Sequence, residues 1–235
     1  MAVDVIRAEF ARVQCAAAQL PEKDSERERL NRKAGAMFHA YGWWWYGRAT
    51  QPAGWKAGWQ DLFCQFNRGF LTTLRIPARL VHLIADLPTI FTMEPIGTIA
   101  FEGVGVRADH LRALRRLAVS PRQVRLTFHR SSLQGDPVGY LTTALDSPLA
   151  TAAVAVDASG YMAGPVVAHI LARSPFVTNL RELILDANRL DGSVTASLAN
   201  NPRLRQLQLL SVKGNLLGSA GFELLSSQFG DRLIT

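Results

Sequence analysis

Apolar positions in the C-terminal part of the chain recur at a fixed interval. Prolines 121, 148, 175 and 202 follow one another at steps of 27 residues, each preceded by Ser120, Ser147, Ser174 or Asn201. The apolar phase keeps step with them. Leu117, Ala144, Leu171 and Leu198 stand four positions before the prolines, and Ala118, Leu145, Ala172 and Ala199 three before. Apolar residues at helical spacing predict helices over 108–118, 138–145, 166–172 and 193–198, with the proline as a stop. After each proline a strand is expected: Val124, Leu126 and Phe128 in one unit, Ala153 to Val156 in the next. A further unit starts at Pro95 with Ile96, Ile99 and Phe101, making about five units in all.

The last two units match residue for residue. Leu180, Leu183, Leu185, Asn188 and Leu190 map onto Leu207, Leu210, Val212, Asn215 and Leu217 at an offset of 27. The pattern is L-x-x-L-x-L-x-x-N-x-L, which resembles the leucine-rich-repeat signature, and a 27-residue unit with a true helix is similar to repeats of the ribonuclease-inhibitor type. In such a unit alternate leucines of a short strand point inward, and the asparagine amide bonds backbone groups left unpaired where the strand bends away. The resemblance implies an α/β solenoid with parallel strands on a concave face and helices on a convex face, stable only when stacked. Earlier units are degenerate: Tyr161 stands where the asparagine belongs.

The N-terminal third has a different pattern. Ile6, Phe10, Val13 and Ala17 form one helical stripe, with Arg7, Glu9 and Arg12 off it. Pro21 to Asp24 interrupts it. Ser25 and Glu28 then have the spacing of a capping box for a second helix, whose predicted inner face is Leu30, Ala34, Phe38 and Tyr41. The charged run 22–33 reads as a solvated helix face. All five tryptophans (43, 44, 45, 55 and 59) fall within 17 residues. They suit an apolar cap over the end of the repeats, with a stacking platform for bases or sugars as the alternative. Arg7 to Gln14, Leu20-Pro21, the charged helix and the Trp-rich segment together resemble the repeat-companion domain that precedes leucine-rich repeats in planctomycete proteins. Asn67 to Leu74 resembles that family's "RGF" strand, and Phe229 to Leu233 its closing strand. Such domains usually open with a further helix carrying an Ala-Asp-Trp-Leu motif, which does not precede Arg7. The resemblance covers nearly the whole chain, implies a bacterial architecture without assigned chemistry, and carries over no catalytic residue. The resulting organisation is a helical cap over 1–66, a transition over 67–94 and repeats over 95–235.

Composition removes several classes. The chain has 235 residues, 48% of them apolar and 19% charged. It has no run of about 18 apolar residues and no secretory leader pattern, so the expectation is a cytoplasmic protein with no membrane segment. Cys15 and Cys64 lack metal-ligand spacing, and the five histidines never approach H-x-x-x-H. The strongest enzymatic reading is Gly103-Val104-Gly105-Val106-Arg107-Ala108 after a strand, with His129-Arg130-Ser131 after the next, a pattern suited to a dinucleotide phosphate. The 27-residue period runs through that segment, which a dinucleotide-binding half has no reason to show. The expectation is therefore no enzyme, no cofactor, no metal and no small-molecule substrate.

Net charge is +7, and between 107 and 130 seven arginines (Arg107, Arg112, Arg115, Arg116, Arg122, Arg125 and Arg130) face one acid, Asp109. That cluster is a candidate anion-binding surface, on which a nucleic-acid-associated role rests as the alternative function. The favoured expectation is a scaffold or adaptor subunit that binds another protein. Its contact residues would be the outward strand positions Glu182, Ile184, Asp186, Leu209, Ser211 and Lys213, with Ile184 and Leu209 marked by being apolar where solvent is expected.

Overall fold

The computed structural model describes residues 2–50, 65–77, 90–91, 95–102, 123–129, 137–160, 164–175 and 177–235. The strands are β1 (Gln65–Asn67), β2 (Phe70–Pro77), β3 (Thr98–Glu102), β4 (Val124–His129), β5 (Ala153–Asp157), β6 (Glu182–Ile184), β7 (Leu209–Ser211) and β8 (Leu233–Ile234). They follow one another in chain order across an open, mostly parallel α/β sheet. Two compact units divide the chain, Met1–Leu74 with Thr89–Ile96 and Arg75–Pro88 with Gly97–Thr235.

In the first unit, α1 (Ala2–Ala18) and α2 (Ser25–Thr50) pack against each other. Phe10, Val13 and Ala17 of the predicted stripe are buried. The cap of α2 differs from expectation. Asp24, not Ser25, is the capping residue: its Oδ1 accepts from the N–H groups of Glu26 at 2.7 Å and Arg27 at 3.4 Å. A carboxylate one residue earlier serves the free N–H groups and the positive end of the helix together. The helix then runs through Trp43, Trp44 and Trp45 to Thr50. Its inner face is Ala34, Phe38, Gly42 and Trp45, whereas Tyr41 is exposed. Trp45 lies 4.8 Å from the Phe10 ring and 6.0 Å from Phe66, an aromatic core worth about 1.5–3 kcal/mol per buried ring. The charged run is a solvated face, with Glu26–Arg29 and Glu28–Arg32 paired one turn apart.

The segment Asn67 to Leu74 is a hairpin, not one strand. Arg68 (φ 51°) and Gly69 (φ 81°) turn the chain between paired Asn67 and Phe70, and two successive positive φ values make the turn a tight two-residue hairpin. Helix α1 holds it. The Gly69 N–H donates to Gln14 Oε1 at 3.0 Å, Gln14 Nε2 donates to the Phe66 carbonyl at 2.9 Å, and Arg7 Nε donates to the Gly69 carbonyl at 2.6 Å. A Cβ on Gly69 would stand 2.7 Å from that of Ala11.

In the second unit every strand pair from β3 to β8 is parallel, and the predicted strand residues Ile99, Val124, Leu126, Phe128, Leu183 and Leu210 are buried. The described helices are α3 (Pro137–Leu145), α4 (Gly164–Arg173), α5 (Gly192–Ala199) and α6 (Gly218–Phe229). The first three lie within two residues of the predicted ones, α6 was not predicted, and 108–118 lies outside the described residues. Strands laid down in one direction with right-handed crossovers put every connecting helix on the same face. The prolines do more than stop helices. Pro148 and Pro202 open 3-10 turns, over Pro148–Ala152 and Pro202–Gln206, before the strand begins. The polar residues before Pro148, Pro175 and Pro202 are buried and bonded. Ser147 Oγ donates to the Ala144 carbonyl, Ser174 Oγ donates to the Leu145 carbonyl of the preceding unit, and Asn201 Oδ1 accepts from the Arg203 N–H.

Two asparagines tie adjacent units together. Asn215 Oδ1 accepts from the N–H groups of Asn188 at 2.8 Å and Leu190 at 3.0 Å, while its Nδ2 donates to the carbonyls of Leu185 at 2.9 Å and Val212 at 2.7 Å. Asn188 Nδ2 donates to the Ala158 carbonyl at 2.9 Å, an equivalent bond one unit earlier. The backbone at this bend is left-handed: Ala187 has φ 53°, and its 27-residue counterpart Gly214 has φ 65°. The closing strand is shorter than expected. Phe229 ends α6, Gly230–Arg232 forms a 3-10 turn, and only Leu233 and Ile234 pair with β7.

Asn215→Ala should lower stability by about 2–4 kcal/mol in urea unfolding, because it strands donors and acceptors of two units. Asn215→Asp should fall between, since it still accepts but no longer donates. Ala187→Gly should be neutral or stabilising by up to about 1 kcal/mol, relieving the left-handed alanine. Asp191, which caps α5 by accepting from the N–H groups of Ser193 and Val194, has its pKa lowered chiefly by the Ser193 hydroxyl. The depressed folded pKa makes the cap contribute above the unfolded value of 3.8 and lose that contribution as pH falls through the lowered one. Acid unfolding of wild type and Asp191→Asn should therefore converge toward low pH.

Candidate partner-binding face

Register stacks the outward residues of the second unit into rows. Thr98, Arg125, Ala155, Glu182 and Leu209 form one row, and Ala100, Thr127, Asp157, Ile184, Ser211 and Ile234 the next. Inward neighbours such as Leu126, Val156, Leu183 and Leu210 are buried to 1% exposure or less, whereas Arg125, Thr127, Asp157, Glu182, Ile184 and Leu209 are half-exposed. One face of the sheet thus carries the core, and the opposite face presents side chains.

Charges on the outer face are paired across strands. Arg125 and Glu182 stand two strands apart, about 10 Å, with Ala155 between them in the register. The small alanine leaves room for the guanidinium to pass over it, and Arg125 Nη2 forms an ion pair with Glu182 Oε2. Farther along, Asp186 Oδ1 accepts from the Ser211 hydroxyl at 2.7 Å and the Lys213 N–H at 2.9 Å. Both bonds cross from the unit of β6 to that of β7.

Of the six predicted contact residues, Lys213 is exposed and Glu182, Ile184, Asp186 and Leu209 are half-buried. Ser211 is different. It is 5% exposed, because Ile234 of β8 pairs beside it and Asp186 takes its hydroxyl. Ile184 and Leu209 are not exposed apolar side chains in the sense expected. The large ones that are exposed in this unit include Leu216, Phe222, Leu224 and Val166. Of the predicted basic cluster, Arg125 lies on the sheet face with its charge compensated by Glu182, so it does not add to a free cationic patch. Arg107, Arg112, Arg115, Arg116, Arg122 and Arg130 lie outside the described residues, as do Gly103 to Ala108, Cys64, Trp55 and Trp59.

The strand order bears on the dinucleotide reading. Ligands of doubly wound sheets sit where the strand order reverses. From β3 to β8 the order never reverses, so no such crevice is built between these strands. Among the described residues no group of three or more His, Cys, Asp or Glu side chains is placed to hold a metal ion, and no helix is long and apolar enough to cross a membrane.

Tryptophan takes a structural part in the first unit. Trp45 is 1% exposed and therefore offers no stacking surface, while Trp44 is 45% exposed. The unit also carries an open groove of about 570 Å³ with Phe10, Phe38 and Phe66 in its wall and the polar residues Gln14, Asn31 and Asn67 around them. No carboxylate, histidine or cysteine is among its described lining residues.

A second polar ladder runs along the edge where the 3-10 turns lie, and sequence reasoning missed it. Asn179 Nδ2 donates to the Thr151 carbonyl at 2.8 Å, and Gln206 Nε2 to the Thr178 carbonyl at 2.7 Å. Asn179 and Gln206 are 27 residues apart, and so are Thr151 and Thr178. The signal was present in the interval but hidden by the change from asparagine to glutamine.

No protein-family model matches the chain, and no curated protein matches it.

A double-mutant cycle on Arg125 and Glu182 should return a coupling below about 1 kcal/mol that shrinks with added salt, as expected of a pair more than one-third exposed on both sides. A large, salt-insensitive coupling would place the pair in a drier environment than described.

Proposed function

We propose that the chain is a non-catalytic binding module of the leucine-rich-repeat kind, with ribonuclease-inhibitor-like units and a repeat-companion-like N-terminal unit, acting as a cytoplasmic scaffold or adaptor for another protein. One observation carries the reading: the outward residues of successive parallel strands stand in straight rows on the face opposite the core. Such a surface offers many side chains at fixed spacing, and a flat partner surface can meet them together. Its chemistry suits a protein. Ile184 and Leu209 sit diagonally on adjacent strands as an apolar centre, ringed by Glu182, Asp186 and Lys213, the arrangement of apolar anchors within a charged rim found at protein interfaces.

The test is co-purification from the native source with Ile184→Arg and Leu209→Arg, each checked for folding by circular dichroism. A stoichiometric protein partner that both variants lose supports the reading. Partner retention by both would remove the face from the interface. Nucleic acid recovered instead, released by salt and lost in Arg112→Glu/Arg115→Glu/Arg116→Glu, would replace the protein partner with an anionic one.

A further inference from the structure

Arginines gather along the edge that carries the second ladder, and no carboxylate among the described residues pairs with them. Arg181 Nη1 donates to the Gln206 carbonyl and to Gln206 Oε1. Arg232 spends its donors on the carbonyls of Arg205, Leu207, Gln228 and Phe229. All of these acceptors are neutral, and among the described residues neither guanidinium has a carboxylate partner, although Arg232 also stands over the Phe229 ring. Arg203 and Arg205 make no ion pair among the described residues either. They line a pocket of about 350 Å³ together with Val177, Thr178, Pro202 and Gln206.

Acceptors are missing at the same turn. Arg203 Nη1 is buried and has no hydrogen-bond partner, and neither has Nδ2 of its neighbour Asn201, a residue 4% exposed. A buried charged N–H without an acceptor is costly, and the rest of the Arg203 side chain, only half-buried, faces the pocket wall. Two guanidinium groups in one wall, backed by two more that have no carboxylate partner among the described residues, match a doubly charged group with several acceptor oxygens better than a single carboxylate.

We propose that this pocket is a binding site for a phosphate dianion, free or as a phosphate monoester, with Arg203 and Arg205 as its two charged donors. The site lies apart from the outward strand rows and shares no residue with them, so it stands or falls independently of the proposed partner face.

Inorganic phosphate is the first probe, titrated against acetate at matched ionic strength and followed by the thermal midpoint and by the arginine side-chain NMR signals. Phosphate should raise the midpoint saturably and shift the Arg203 and Arg205 signals; acetate should do neither. Arg205→Gln should weaken the affinity about tenfold or more. Arg203→Met should do the same while leaving the phosphate-free midpoint unchanged or higher, because it removes an unpaired buried donor; a merely structural arginine would lower it. Should Arg203→Met not fold, Arg205→Gln at the exposed position decides. Phosphoserine competing with phosphate identifies a monoester as a source, and its failure to compete restricts the site to the free ion. An equal response to acetate, phosphate effects that survive both substitutions, or displacement by a single-stranded oligonucleotide diester would overturn the assignment.

Discussion

Everything in the second unit depends on the satisfaction of backbone polar groups where each strand turns away from the sheet. Beyond the three-residue strands β6 and β7 the chain bends through left-handed residues, where alternate groups still bond directly between units, as the Ala187 N–H does to the Lys213 carbonyl, and the groups between them need other partners. The Asn215 side chain supplies both kinds of partner to the bend of the preceding unit and to its own, and Asn188 repeats the donation one unit earlier. Because each asparagine bonds backbone 25 to 30 residues away, the interval between units is set by hydrogen-bond geometry as well as by leucine packing. An insertion between two such residues would break both at once.

That periodicity has consequences on three surfaces. Inward it aligns Leu126, Val156, Leu183 and Leu210 into a continuous buried row. Outward it aligns charged and apolar side chains so that residues of different units can bond, as Arg125 and Glu182 do over Ala155 and Asp186 does with Ser211. Along the 3-10 edge it aligns Asn179 with Gln206, and there it leaves arginines with only neutral acceptors. The outward rows and the arginine-lined pocket are therefore two products of one repeat.

The first unit follows a separate logic. Its core is aromatic, and its hairpin is held because Gln14 and Arg7 of α1 bond the backbone of Phe66 and Gly69 while Gly69 occupies a position that admits no Cβ. The run Asn67-Arg68-Gly69-Phe70 was legible as a motif, but its form was not. Continuous apolar and polar alternation reads as strand, and only the contact with Ala11 shows why a turn with glycine stands there. Likewise the tryptophans were conspicuous in the sequence, yet whether a ring packs or is presented depends on helix phase. Trp45 falls on the inner stripe with Ala34 and Phe38, and Trp44, one residue earlier, falls off it.

Local order and period came from the sequence by itself. Alternating leucines, asparagines at a fixed interval and helical stripes are short-range patterns governed by side-chain direction, and they specified the repeat strands, the helices α3 to α5 and their succession, though not α6 or the β1–β2 hairpin. The tertiary structure decided what needed distances between units. It made Ser211 buried although its parity points outward, because β8 and Asp186 close over it. It paired Arg125 with a glutamate 57 residues away, and it gathered arginines at one edge. Burial and charge compensation are properties of neighbours, and in this chain the decisive neighbours are brought together only when the units stack.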